Sequence, residues 1–284
     1  MKVLVTGAAG LVGRAVGEHC HNLGDGVLLF QRNELDITDP HAVRETISET
    51  KPDVVINCAA WTNVDACESD PDRAFAANAT GPELLAAACK EAASRFITIS
   101  TDYVFDGEKT GFYTQEDEPN PLSVYAASKL EGEQLSAQAN DRAMIVRTGY
   151  IFGRGGANFL CTVPDRARRG EKIKAITDMY GTPTYAKDLA ASLRELAEVG
   201  APGIYHLVNS GAGATFAEFT QKTVALVGNS NASIELVSAA TLNRPAKRPR
   251  NSRLRCLVSE TVGLAPLRNW EAALEDFVRS ELES

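Results

Sequence analysis

A run of β-branched and apolar residues, Lys2-Val3-Leu4-Val5-Thr6, ends on Gly7-Ala8-Ala9-Gly10-Leu11-Val12-Gly13 and passes into a helical pattern that lasts through Leu23. Glycines three apart at the join of a strand and a helix leave backbone N–H groups open. A pyrophosphate can then approach the helix N-terminus, because no Cβ stands in the way at Gly7 or Gly10. The strand before the turn and the helix after it give the glycine spacing the context that dinucleotide binding requires.

The segments that follow keep the same rhythm. A second strand, Gly26-Val27-Leu28-Leu29-Phe30, ends in Gln31-Arg32, where an acid would accept the ribose 2′-hydroxyl of NAD. An arginine suits the 2′-phosphate of NADP instead, so Arg32 favours NADPH, with NADH still admitted. Asp36 and Ile37 have the chemistry to flank an adenine, one as acceptor and one as apolar wall, while Thr38 or Asp39 can cap a helix over His41 to Thr50. The strand Asp53 to Asn57 runs into small residues, Cys58-Ala59-Ala60, which let a cofactor pass close to the backbone at a strand's carboxyl end. Helices around Asp72 to Ala79 and over Glu83 to Ser94 lead to a further strand at Phe96. The order βαβαβ predicts an α/β fold with a doubly wound parallel sheet.

That strand, Ile97-Thr98-Ile99-Ser100-Thr101-Asp102, stops at hydroxyl and carboxylate side chains, and a helix begins near Tyr125. Tyr125 and Lys129 are four residues apart and project from one helix face. A free phenol has a pKa of about 10, and a nearby ammonium favours the phenolate, so Tyr125 is expected to be drawn toward the working range as a proton donor. Thr101 supplies a hydroxyl to hold the same substrate oxygen. On a random helix the pair is more often a packed ring beside a solvated lysine, and its weight comes from the nucleotide turn upstream.

Composition closes off other classes. A formal charge of −8 speaks against general affinity for nucleic acid or anionic membrane, and no apolar stretch reaches membrane-spanning length. Met1-Lys2 enters a strand at once, which predicts no signal peptide and a cytoplasmic location. The six cysteines, Cys20, Cys58, Cys67, Cys89, Cys161 and Cys256, form no Cys-x-x-Cys pair and read as reduced core thiols, and His19 and His21 point to different helix faces, so no metal site is expected.

Four further segments carry a resemblance. They are Asn57-Cys58-Ala59-Ala60-Trp61-Thr62-Asn63-Val64-Asp65, Ser100-Thr101-Asp102-Tyr103-Val104-Phe105-Asp106-Gly107, Asp178-Met179-Tyr180-Gly181-Thr182-Pro183-Thr184 and Arg248-Pro249-Arg250-Asn251-Ser252-Arg253-Leu254. With the glycine turn and Tyr125-x-x-x-Lys129, the chain resembles the dTDP-4-dehydrorhamnose reductase family of the extended short-chain dehydrogenase/reductase superfamily. The resemblance implies a Rossmann domain with a smaller C-terminal substrate-binding lobe. It implies catalytic roles for Thr101, Tyr125 and Lys129, and cofactor contacts at Gly10, Leu11, Val12, Asp36, Ile37, Ala59, Ala60, Thr62, Tyr125 and Lys129. The implied substrate contacts are Thr101, Asp102 and Tyr125. Where the family often carries a tryptophan against the substrate this chain has Tyr150, an aromatic wall with a different hydrogen-bonding end. The implied reaction is NADPH-dependent reduction of the 4-keto group of dTDP-4-dehydro-L-rhamnose. The alternatives are a non-catalytic NADP-binding regulator resembling the methionine adenosyltransferase β subunit, and a reductase or epimerase of another nucleotide sugar.

The second half supplies the expected lobe boundaries: a dinucleotide-binding part over 1–155 with a return segment at 186–208, and a substrate-binding lobe over 156–185 and 209–284. Arg166, Arg168 and Arg169 on a helix from Phe159 to Arg169 are candidates for a substrate diphosphate, although such a run is more often a solvated face. The basic loop Arg244 to Arg250 lacks aromatics for stacking on bases and reads as a wall of the substrate lobe. The partner expected is a small nucleotide sugar, and a homodimer is compatible with the sequence.

Overall fold

The computed structural model describes residues 1–282. The first half lays down β1 (Lys2–Thr6), α1 (Leu11–Asn22), β2 (Gly26–Phe30), α2 (Pro40–Thr50) and β3 (Val54–Asn57). It continues with α3 (Val64–Ser69), α4 (Pro71–Phe75), α5 (Gly81–Glu91), β4 (Arg95–Thr101), α6 (Val124–Ala139) and β5 (Met144–Thr148). The second half adds β6 (Ile151–Phe152), α7 (Phe159–Arg168), β7 (Lys172–Ile176), β8 (Tyr180–Gly181), β9 (Thr184–Tyr185), α8 (Ala186–Val199) and β10 (Gly203–His206). It ends with β11 (Ala214–Thr215), α9 (Phe216–Val227), β12 (Ser233–Val237) and α10 (Trp270–Leu282).

Six strands form one parallel sheet in the order β10-β5-β4-β3-β1-β2. Both faces are covered, so the inner strands read as continuous apolar runs: Val3 and Val5 pack with Leu189, Leu193 and Leu196 of α8, while Leu4, Val55 and Phe96 pack with α2 and α5. Strand order reverses at β1, whose neighbours are β2 and β3. In such sheets the crevice outside the carboxyl ends at the reversal is where ligands bind. The expected α/β doubly wound fold is the one observed. All six cysteines are free thiols.

The return segment behaves as part of this sheet: α8 packs along α1 and β10 pairs with β5 from Gly203↔Met144 to His206↔Arg147. Outside the sheet, Phe152, Tyr185, Phe219, Trp270 and Phe277 build an aromatic cluster, with Phe152 stacked on Tyr185 at 5.3 Å. Beside it β7 and β12 pair in parallel, a strand pair that Ser233 to Val237 did not announce because it is short and half exposed.

Local departures from the sequence expectation have local causes. The region expected as one helix over Asp72 to Ala79 is α4, started by Pro71 and the Asp70 cap, followed by a wider π-type turn over Ala76–Thr80. Asn63 caps an additional short helix, α3, by accepting from Ala66 N. Asp39 caps α2, accepting from His41 N and Ala42 N, as expected.

One buried ion pair ties α6 to β5. Arg147 and Glu133 are almost fully buried and meet in a two-pronged contact, with Nη2–Oε2 at 2.7 Å and Nε–Oε1 at 3.0 Å; Ser100 Oγ also donates to Glu133. Glu133→Gln removes the charge and leaves a buried guanidinium without its counter-ion. It is expected to lower stability by about 3–5 kcal/mol, read as a drop in the urea midpoint; an unchanged midpoint would show that the pair adds nothing.

Candidate active site

Helix α6 carries two of the expected site residues, and its seating is over-determined. Ser123 Oγ accepts from Ala126 N at 3.3 Å and starts the helix just before Tyr125. Asn78, in the π-type turn, accepts from Trp61 N at 2.8 Å and donates to Trp61 O at 3.1 Å and Ser128 Oγ at 3.0 Å. One amide thereby fastens the loop after β3 to the middle of α6. Close approach is possible because of Gly132: a Cβ there would lie 2.0 Å from Asn78 O. Tyr125 and Lys129 are consequently buried on the face that meets β4.

Beneath them runs a polar line across the sheet. Thr6 Oγ1 donates to Asn57 Oδ1 at 2.6 Å, Asn57 Nδ2 donates to Thr98 Oγ1 at 3.0 Å, and Ala59 N donates to Asn57 Oδ1 at 3.1 Å. This holds the ends of β1, β3 and β4 in register at the crevice. Gly7 is in the left-handed region with φ +65°, and a Cβ there would meet the Ala59 backbone at 2.6 Å. Only glycine lets the turn after β1 lie against the loop after β3.

The crevice itself is a cleft of about 460 Å³. Its walls include Gly10, Leu11, Val12, Ala60 and Thr62 as well as Thr101, Asp102, Tyr125, Lys129 and Tyr150. Nearby cleft residues that sequence reasoning did not name are Ile99, Tyr103, Thr148, Phe159 and Phe216. Phe216 lies within the Thr215-x-x-Glu218 capping box, which marks a helix start but not where that start points. Tyr150 has φ +48°, and its hydroxyl donates to Met179 O at 3.1 Å while its ring packs on Phe216. Gly181 leaves room for that ring.

Other expected residues lie away from the cleft walls. Gly7 and Ala59 stand behind the turn. Asp36 hydrogen-bonds Thr38 N and Oγ1 at 3.0 and 2.8 Å, and Arg32, mostly exposed, approaches Asp36 at 3.5 Å. Ile37 is buried in the core below α5, wedged against Gly81. Arg166, Arg168 and Arg169 pair with Glu171 and Asp165 on their own side of the second lobe and are absent from the cleft lining. The basic loop is tied to α3: Arg248 grips Asp65 through Nη1 and Nη2 at 3.0 and 2.8 Å, and Ala246 N donates to the same carboxylate.

The electrostatics correct one expectation. Lys129 Nζ donates to Ile99 O at 2.6 Å, and burial lowers its pKa to about 8, opposed by Glu133 and Cys58. Burial also drives the Tyr125 phenol up, with the Thr101 hydroxyl pulling it back and Asp102 adding to the rise. The lysine does not dominate the tyrosine, because both groups are dry and the ammonium is anchored on a carbonyl of β4. The phenol is therefore fully protonated at neutral pH.

The chain was compared with known proteins. The family profile described as RmlD substrate binding domain matches residues 1–282. The dTDP-4-dehydrorhamnose reductase of Streptomyces griseus is 38% identical over 279 residues, covering 96% of this chain and 91% of that protein. Among solved structures, a dTDP-4-dehydrorhamnose reductase of Clostridium acetobutylicum aligns with a TM-score of 0.94 at 36% identity, covering 100% of both chains. One from Bacillus anthracis, in complex with NADP, aligns with a TM-score of 0.93 at 31% identity, again covering 100% of both.

Lys129 gives a prediction of definite sign. Burial depresses its folded pKa from the ordinary 10.5 to about 8, so the charged form disfavours folding below pH 8 and the penalty is relieved as pH rises from about 8 toward 10.5. Lys129→Met is expected to unfold at higher urea than the parent at neutral pH, with the advantage shrinking across that window. A constant difference would show that the ammonium carries no net cost.

Proposed function

The chain belongs to the RmlD substrate binding domain family, and from that premise we propose that it is an NADPH-dependent reductase of the 4-keto group of dTDP-4-dehydro-L-rhamnose, yielding dTDP-L-rhamnose. The observation that carries the reading is the convergence of Thr101, Tyr125 and Lys129 on the same cleft that the Gly10–Val12 turn lines.

The residues fit a nicotinamide dinucleotide. A Cβ at Gly13 would lie 2.4 Å from Gly7 O, so the turn closes tightly and leaves its open side to the cleft. Gly10, Leu11, Val12, Ala60 and Thr62 would hold the dinucleotide along the cleft, with Arg32 and Asp36 beyond them toward the adenosine end. When bound, it supplies the hydride for the carbonyl carbon. Lys129 would hold ribose hydroxyls of the dinucleotide. Thr101 orients the sugar carbonyl. Tyr125, kept protonated by burial, gives its proton to the oxygen as negative charge grows there. Tyr150 and Phe216 would form an apolar wall for the sugar, with Asp102 lining the same cleft.

The test is oxidation of NADPH in the presence of dTDP-4-dehydro-L-rhamnose, with NADH and a UDP-linked analogue alongside. Sugar-dependent oxidation is expected for the parent. Tyr125→Phe should bind both ligands and lose turnover by about 10²–10⁴-fold. Retained turnover in that variant would overturn the assignment of the proton donor.

A further inference from the structure

Asp102 opens the short turn that follows β4, lines the cleft and is only 3% exposed. Its carboxyl is pressed against the backbone of Gly149, where a Cβ would lie 2.2 Å from Cγ. Two hydroxyls donate to it: Thr101 Oγ1 to Oδ1 at 3.1 Å, and Ser252 Oγ, from the C-terminal loop, to Oδ2. Among the described residues no cation forms an ion pair with it. A buried carboxyl with two hydroxyl donors and no counter-charge is poised between its two protonation states.

Thr101 has one proton to give. It cannot donate to a carboxylate and to a substrate carbonyl at once, and a charged acceptor outcompetes a neutral one. Building on the reductase reading, we propose that Asp102, seated by Ser252, is a positioning residue that sets where the Thr101 hydroxyl sends its proton. Ionised Asp102 draws that proton away from the substrate. Neutral Asp102 donates its own proton to Thr101 Oγ1, and the Thr101 hydrogen is then free for the carbonyl oxygen. No bond to carbon changes in this exchange; only hydrogen-bond polarity reverses.

The surrounding titratable groups leave Asp102 as the one that switches near neutrality on this wall. Burial raises its pKa to about 7, with Ser252 and Thr101 opposing the rise. Tyr103 on its own turn, Tyr125 on α6 and Tyr150 after β5 all feel its charge, and burial holds all three phenols protonated. Arg244 and Arg248 of the C-terminal loop act on Tyr103. Lys129, on α6, changes charge at about 8 and contacts Ile99, not Asp102.

The experiment is the pH profile of kcat/KM for sugar-dependent NADPH oxidation in the parent, Ser252→Ala and Asp102→Asn. The parent is expected to lose activity as pH rises through about 7. Ser252→Ala, which deletes a donor to the carboxylate, should move that break upward by about one pH unit, the worth of one hydrogen bond to a charged group. Asp102→Asn should lack the break near 7 whatever its absolute rate, keeping only a fall through about 8 from Lys129, and it serves if Ser252→Ala does not fold. A Ser252→Ala profile superimposable on the parent's, or a break near 7 that survives in Asp102→Asn, overturns the proposal. If the parent oxidises no NADPH with the sugar, the reductase reading fails, and the switch is read directly by NMR of isotope-labelled aspartate carboxyls. A signal missing from Asp102→Asn that titrates near neutrality, and higher in Ser252→Ala, supports it. Titration in the ordinary carboxylate range overturns it.

Discussion

A buried lysine must put its charge somewhere, and here that place is the carbonyl of Ile99. The 2.6 Å contact from Lys129 Nζ brings α6 down onto the carboxyl end of β4. Everything else in the cleft is arranged to permit that approach. Gly132 removes the side chain that would collide with Asn78 O, Asn78 bonds both the loop after β3 and Ser128, and Glu133 fills the next buried position with a carboxylate held by Arg147 and Ser100. Desolvation of the ammonium is opposed by Glu133 and Cys58 rather than abolished, which is why the lysine's pKa stays depressed.

The parts of the fold that were legible in the sequence share one property: they are set by residues close together in the chain. The glycine turn, the apolar strands and the cap at Asp39 each rest on neighbours within a few positions. Tyr125 and Lys129 belong with them, since helix pitch alone puts them on one face. What spacing could not supply was the electrostatic outcome. A tyrosine–lysine pair at that interval suggests a lowered phenol pKa in water, and only the depth of burial shows that desolvation wins for both groups.

The contacts least legible were those between the two halves of the chain. Ser252 lies within a motif that carries the family resemblance, but nothing in its neighbours points to Asp102, which is 150 positions away. The basic loop reads in the sequence as a wall of the substrate lobe, and nothing near Arg248 in the chain points to Asp65, the partner it takes across 183 positions. The arginine run on α7 is consumed by Glu171 and Asp165. In each case the type of residue was informative about chemistry, and the fold decided which partner received it.

The separation of Asp65 from Arg248 and of Asp102 from Ser252 also bears on how the molecule assembles in time. Closing loops of this span carries an entropic cost that is met only once the intervening elements have packed. The parallel strands β1 to β5 can pair as soon as their crossover helices form, but β10, at the sheet's edge, and the loop at 244–254 come much later along the chain. During synthesis, then, the wall holding Thr101, Tyr125 and Lys129 stands before the segment that completes it. The nascent chain passes through a stage with a finished floor and an open side, the stage at which its apolar cleft is most exposed to other chains.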